Sequence, residues 1–282
     1  ICVCVDLDEF FTPGWREQIE RAWRAGATRV SYRYVWNFLP DGREGTVFWP
    51  DKVHARHGYQ WRNPVHEILQ RVDGRQEVIV PAQNVTLEHH ADPAKSRGQY
   101  LGLLELSVQE NPHDDRNMHY LGREYLFYQR YEDCIRTLQR HLAMPESRWD
   151  AERCASMRYI ARSYTALGQR QEAKRWLLRA VAEAPYLREP YVELAKQLYF
   201  DENWAALAAA CEAALAIRER PQIYINEPEA WGEAPYDLAS LAWYRLGDYQ
   251  QALARGEDAL ALAPDNERIR RNVDIFRAHT VG

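Results

Sequence analysis

Long apolar runs, paired cysteines and an excess of positive charge are all missing from this 282-residue chain. No window approaches the roughly 20 uninterrupted apolar residues of a membrane helix, since Arg or Glu breaks the longest candidates, so a span across a bilayer is not expected. Lys and Arg number 36 against 41 Asp and Glu, a formal charge of −5, which argues against a chain built mainly to neutralise nucleic-acid phosphates. The five cysteines, Cys2, Cys4, Cys134, Cys154 and Cys211, are odd in number and form no C-x-x-C pair. With no secretory segment ahead of them, they suit a reducing, cytoplasmic setting.

What is present is an ordinary globular composition, 46% hydrophobic and 27% charged, which excludes a disordered or collagen-like chain. Aromatic residues reach 12%, with 10 Trp and 17 Tyr, a supply that suits surfaces stacking on rings or sugars. The length predicts two domains. Residues 1–92 mix types: the run ICVCV reads as a buried strand of a parallel sheet, Pro13 opens a helix over about 13–25, and strand-like runs follow near 28–38, 45–49 and 78–88. Asp41-Gly42, between two aromatic-rich runs, predicts a hairpin. From Pro93 onward apolar residues recur at helical spacing, so residues 93–282 are expected to be all helix.

That second part repeats itself. Cys134, Ala173, Leu207 and Ala252 align in one column, at intervals of 39, 34 and 45 residues, and His141, Ala180, Ala214 and Ala259 align in another. A period near 34 with insertions is that of a helix–turn–helix repeat, in which small residues let paired helices approach closely. Tyr164 and Trp176 are expected in the core with the alanines. Gly168 and Gly247 stand at the expected turns, where Gln129 takes the place in the first repeat. The insertion PQIYINEPEAWG (221–232) is expected either to cap the stack or to dock on the first domain.

Chemistry concentrates in two places. Asp6-Leu7-Asp8-Glu9 follows the first apolar run; alternation along an extended chain puts Asp6 and Asp8 on one side, at a strand's carboxyl end. Such a pair holds a hard divalent cation or, as plainly, caps the helix that follows. The stretch WPDKVHARHGYQWRNPVHE (49–67) gathers Lys52, His54, Arg56, His57, Arg62, His66 and Glu67 among Trp49, Tyr59 and Trp61, a mixture suited to a loop gripping phosphates and rings. His66-Glu67 lacks the second His of a zinc-protease helix, and His54, His57 and His66 have no recognised zinc spacing.

DLDEFFTPGW, YVWNF, KVHAR, YQW and PVHE, followed by the helical repeats, resemble the family 2 glycosyltransferases of the GT-A fold that carry C-terminal tetratricopeptide repeats. The resemblance implies an α/β plus all-α chain: the C-terminal part of a GT-A-like mixed-sheet domain over 1–92, then a solenoid of about four tetratricopeptide-like repeats over 93–282. It implies inverting transfer of a sugar from a nucleotide-sugar donor, with manganese or magnesium as the divalent metal. Asp8, Asp6 and His66 would hold the metal. Asp6, Lys52, Arg56 and Trp61 would meet the donor, with Trp36 on the sugar side, and Glu67 or His66 would act as catalytic base. The family's nucleotide-binding half precedes the D-x-D run, so a chain opening at Ile1 is expected to lack it.

The acceptor stays open among a glycan, a peptide or protein, and a modified DNA base, the last needing a basic face from Arg116, Arg123, Arg130, Arg136 and Arg140. Those arginines equally form a solvated helix face balanced by Glu124, Glu132 and Asp133. The main alternative is a non-catalytic protein that binds a partner on its repeats beside a remnant transferase domain. A metal-dependent hydrolase or nuclease fits less well, because no second carboxylate pair is present.

Overall fold

The computed structural model describes residues 1–91, 98 and 100–280. The chain divides into two compact units, Ile1–Asn111 with Gln222–Asn226, and Pro112–Pro221 with Glu227–Gly282. The boundary expected at 92–93 lies outside the described residues, and the first unit runs on to Asn111.

The first unit contains β1 (Glu9–Phe11), α1 (Trp15–Ala22), β2 (Arg29–Val35), β3 (Val47–Phe48), β4 (Val53–His54), β5 (Tyr59–Arg62), β6 (Ile68–Arg71), β7 (Ile79–His89) and α2 (Tyr100–Glu110). β7 pairs antiparallel with β1 and parallel with β2, and β2 takes β3 and β4 antiparallel on its other side. β2 is rich in β-branched and aromatic residues, as strands favour, and Val30, Tyr32 and Tyr34 alternate onto one buried face. On β7 the buried positions switch from Val80 and Ala82 to Val85 and Leu87, because a bulge moves the register between Tyr32 and Arg33. Ile19 of α1 closes this core with Phe11, Trp15 and Trp23.

Two expectations for this unit are corrected. Residues 1–5 do not form a central parallel strand: Cys2 makes one antiparallel bridge to His54, while Ile1, Val3 and Val5 are exposed. A run with a single backbone bridge at the side of β4 is not covered on both faces as a central strand is. The stretch 49–67 is not one ligand-gripping loop either, since it supplies β4 to the main sheet and pairs β5 with β6 in a separate hairpin. The Asp41-Gly42 turn forms, with Gly42 at φ +83 and Phe38 bridged to Glu44.

The second unit is a helical repeat solenoid. Among the described residues it pairs α3 (Asp115–Phe127) with α4 (Tyr131–Ala143), α5 (Asp150–Ala166) with α6 (Arg170–Glu183), α7 (Glu189–Phe200) with α8 (Trp204–Ala216) and α9 (Ala234–Leu246) with α10 (Tyr249–Leu262), and closes with α11 (Glu267–Thr280). Every member of both aligned columns is fully buried, from Cys134 to Ala252 and from His141 to Ala259. Trp176 is in the core as expected, whereas Tyr164 is only half-buried. The turns inside the hairpins use left-handed backbone at Gln129, Gly168, Glu202 and Gly247.

The 221–232 insertion is divided. Gln222–Asn226 belongs to the first unit, where Trp49 donates to Gln222, Thr46 Oγ1 donates to the Asn226 carbonyl at 3.2 Å and Tyr224 meets Phe48 edge-on. Glu227 onward belongs to the second unit and forms the 3-10 turn Pro228–Trp231.

Candidate functional site

Asp6 and Asp8 precede β1 instead of following a strand: Glu9 N–H donates to the Asp6 carbonyl, a turn that places Leu7 at an exposed tip. The sequence had put the two acids at a strand's carboxyl end, and the turn corrects that. Glu9, not either of them, is the buried acid. Its carboxylate accepts the Asp6 N–H at 2.9 Å and the Tyr34 hydroxyl at 2.7 Å, with Lys52 Nζ 4.0 Å away. Lys52 therefore faces an internal carboxylate, and Tyr34 is pushed well above its ordinary range, by burial first and then by its bond to Glu9.

Asp8 has a partner that sequence reasoning missed. Its Oδ2 lies 3.4 Å from Nε2 of His89, the last residue of β7. His89 donates its Nδ1–H to the Trp36 carbonyl at 2.8 Å, so Nε2 is the atom left to face Asp8. An imidazole lone pair and a carboxylate at that separation need a proton or a cation between them. Trp36 stacks on the same imidazole, centroids 6.3 Å apart, and next to it His90 stacks on Phe38. The visible signal was His89-His90 at the end of an alternating run.

The other predicted residues are not drawn into this place as a ligand set. Asp6, Asp8 and His66 do not gather as a three-group metal cluster among the described residues, nor do His54, His57 and His66. His66 sits at φ +50 with its ring 6.1 Å from that of Tyr100, and Glu67 is exposed. His54 is buried in the sheet with its Nδ1 on the Ala55 carbonyl, its ring meeting Tyr59 and the half-exposed Trp61 edge-on. Arg56 is exposed. The manganese or magnesium set of three does not fit these residues as placed; the pair Asp8 and His89 is the remaining cation-binding chemistry at this strand end.

The helical unit has a charged centre and an aromatic edge. Arg158, 1% exposed at its side chain, pairs with Glu193 at 2.6 Å and with Glu227, and Arg162 pairs with the same two carboxylates. Burial pushes Glu227 up, and Arg158 with Arg162 outweighs it and holds the carboxyl down at about 2. Lys196 pairs with Glu229 at 2.6 Å, while Glu189 accepts from the Glu227 backbone and the Trp231 indole. The acids of the insertion thus cover the basic side chains of α5 and α7. At the turn after α7, Phe200 is 65% exposed; Tyr199 packs against it and against Trp204, with Arg170 over Phe200 and Arg245 over Trp204. Leu246 is exposed at the matching turn of the next hairpin.

The arginines weighed as a nucleic-acid face are mostly engaged: Arg130 and Arg136 pair with Asp133, Arg140 donates to the Pro112 carbonyl, and Arg123 lies over Tyr120 and Phe127.

No family model matches the sequence, and no curated protein matches it. Among solved structures, the chain is similar to a MamA protein, with a TM-score of 0.47 and 14% identity over 59% of this chain and 82% of that one. PilF of Pseudomonas aeruginosa gives 0.48 and 12% over 63% and 72%. A thermophilic TPR protein of Thermus thermophilus gives 0.43 and 17% over 66% and 92%. Likeness at this level concerns fold alone, and the repeat architecture stands on the helix pairs and buried columns described above. No helix among the described residues is long and apolar enough to cross a membrane.

Proposed function

We propose that this protein acts through its helical repeats as a protein-binding scaffold, the aromatic edge at the hairpin turns being the contact surface. The observation that carries this reading is Phe200, a large apolar ring left 65% exposed beside Tyr199, Trp204 and two arginines. Aromatic residues and Arg are the types that dominate binding energy in interfaces, and a repeat stack gives them a rigid mount. The insertion fills the basic centre of α5 and α7 with its own acids, so that centre is already occupied by the chain itself. A photo-crosslinking amino acid placed at position 200 of the full chain, in its host cell, tests this. The expected result is a discrete adduct, suppressed by excess wild-type chain but not by the Phe200→Glu variant. Equal suppression by both, or no discrete adduct, overturns it.

A second reading, metal-dependent sugar transfer, is favoured by one observation: Asp8 and Trp36 converge on His89. Asp8 and His89 would hold a divalent cation, which when bound supplies positive charge for a leaving nucleoside diphosphate. Trp36 would offer a flat apolar wall to a sugar ring. Calorimetric titration of manganese with UDP, GDP or dTDP distinguishes the readings. Nucleotide binding that needs manganese and is lost in both Asp8→Ala and His89→Ala supports transfer; binding unchanged by either substitution, or none, removes it.

A further inference from the structure

Position 141 breaks the rule of its column. In the three later hairpins the residue is Ala180, Ala214 or Ala259, each fully buried where paired helices touch; in the first it is His141, equally buried. Packing alone asks for a methyl group there, so an imidazole with two polar nitrogens needs another reason. Around it stand two acids, Asp115 in the first turn of α3 and Glu152 in the first turn of α5, with His141 itself in the last turn of α4. One ligand atom from each of the three lies within 4.8 Å of the others.

We propose that Asp115, His141 and Glu152 bind a divalent transition-metal ion of the zinc type and so pin α3, α4 and α5 together. His141 Nε2 faces Glu152 Oε1 at 3.5 Å and Ser147 Oγ at 3.0 Å, which gives the cation a nitrogen, two carboxylates and a hydroxyl within one small volume. A nitrogen ligand beside carboxylates selects zinc or cobalt over magnesium and calcium. The outer contacts match those that orient a metal-bound imidazole. His141 Nδ1 bonds Ser156 Oγ at 3.0 Å, and that hydroxyl bonds His119 Nδ1 at 2.7 Å, so the ring is held with Nε2 turned to the acids. His119 is itself fully buried, its ring centroid 5.5 Å from that of His141, and its Nε2 has no hydrogen-bond partner among the described residues. A dication matches the charge of the two carboxylates it would bind. The guanidinium of Arg153, the residue after Glu152, pairs with Glu183 and donates to the Leu142 and Ser147 carbonyls, while Arg116 and Arg123 add positive charge near His119.

The test uses the full chain, stripped with a chelator and titrated with Zn²⁺ by calorimetry and with Co²⁺ by visible absorption. The wild type is expected to take up one equivalent of Zn²⁺ with a rise in thermal midpoint. His141→Ala restores the residue of the other hairpins and is expected to fold without binding; Asp115→Asn, at a half-buried position, is expected to weaken binding. Ser156→Ala, which touches no ligand atom of the metal, is expected to weaken affinity by about 10- to 100-fold. Repeating the titration on Asp8→Ala, which removes the carboxylate facing His89, reads the uptake that belongs to this site alone. Absence of stoichiometric uptake by the folded wild type, or wild-type uptake by His141→Ala, overturns the proposal.

Discussion

Gly122 on α3 and Leu138 on α4 approach so closely that a β-carbon on the glycine would stand 2.2 Å from Leu138 Cδ2. The two helices of the first hairpin meet at this point, and Leu138 is wholly buried, so it has nowhere to retreat. Gly122→Ala therefore sets a gain in helix propensity of about 1 kcal/mol against overpacking of about 1 to 3 kcal/mol. Net destabilisation is expected, read as a lower urea midpoint with an unchanged slope. A stabilised variant would show that the hairpin opens at no cost.

Removing the charge of Glu227 leaves two guanidiniums, Arg158 and Arg162, with Glu193 as their shared ion-pair partner. Because Arg158 is buried, Glu227→Gln is expected to cost about 3 kcal/mol. The double variant Arg158→Met with Glu227→Gln should recover part of that loss, since it removes the uncompensated charge. Equilibrium unfolding of the single and double variants measures both.

The same carboxylate gives the second unit an acid limb. Held down at about 2 when folded, against 4.5 ordinarily, Glu227 contributes stability that is fully present above about pH 4.5 and is lost as pH falls towards 2. Thermal midpoints at pH 6 and pH 3 should differ more in the wild type than in Glu227→Gln. Equal differences would place the acid sensitivity elsewhere.

Gln129 occupies the turn of the first hairpin at φ +58, where the second and fourth hairpins use Gly168 and Gly247. A left-handed conformation costs a side-chain-bearing residue about 1 to 2 kcal/mol, partly offset by glycine's greater freedom when unfolded. Gln129→Gly is expected to raise stability by about 0.5 to 1 kcal/mol. A fall in the thermal midpoint would mean that the glutamine side chain makes a contact worth more than the backbone strain.

Much of the helical unit was legible because repeats write their packing in one dimension. Cys134, Ala173, Leu207 and Ala252 occupy equivalent contacts, so alignment of the chain with itself found buried positions without any coordinates. The sheet unit was less legible. The run at 1–5 looks like a central strand by composition, yet its burial depends on neighbours that composition does not specify. The D-x-D acids drew notice by spacing, while Glu9 beside them took the buried role through Tyr34, a residue far along the chain. His89 went unnoticed for the same reason, since its approach to Asp8 comes from the pairing of β7 with β1.

The amino-acid sequence by itself determined the helix–turn–helix period and the small-residue columns, because each depends on local periodicity. Tertiary structure alone decided which acids are buried, that the acids of the insertion sit on Arg158, Arg162 and Lys196, and that Asp115, Glu152 and His141 meet. These are juxtapositions of residues from separate elements, fixed by how helices and strands close on one another in space.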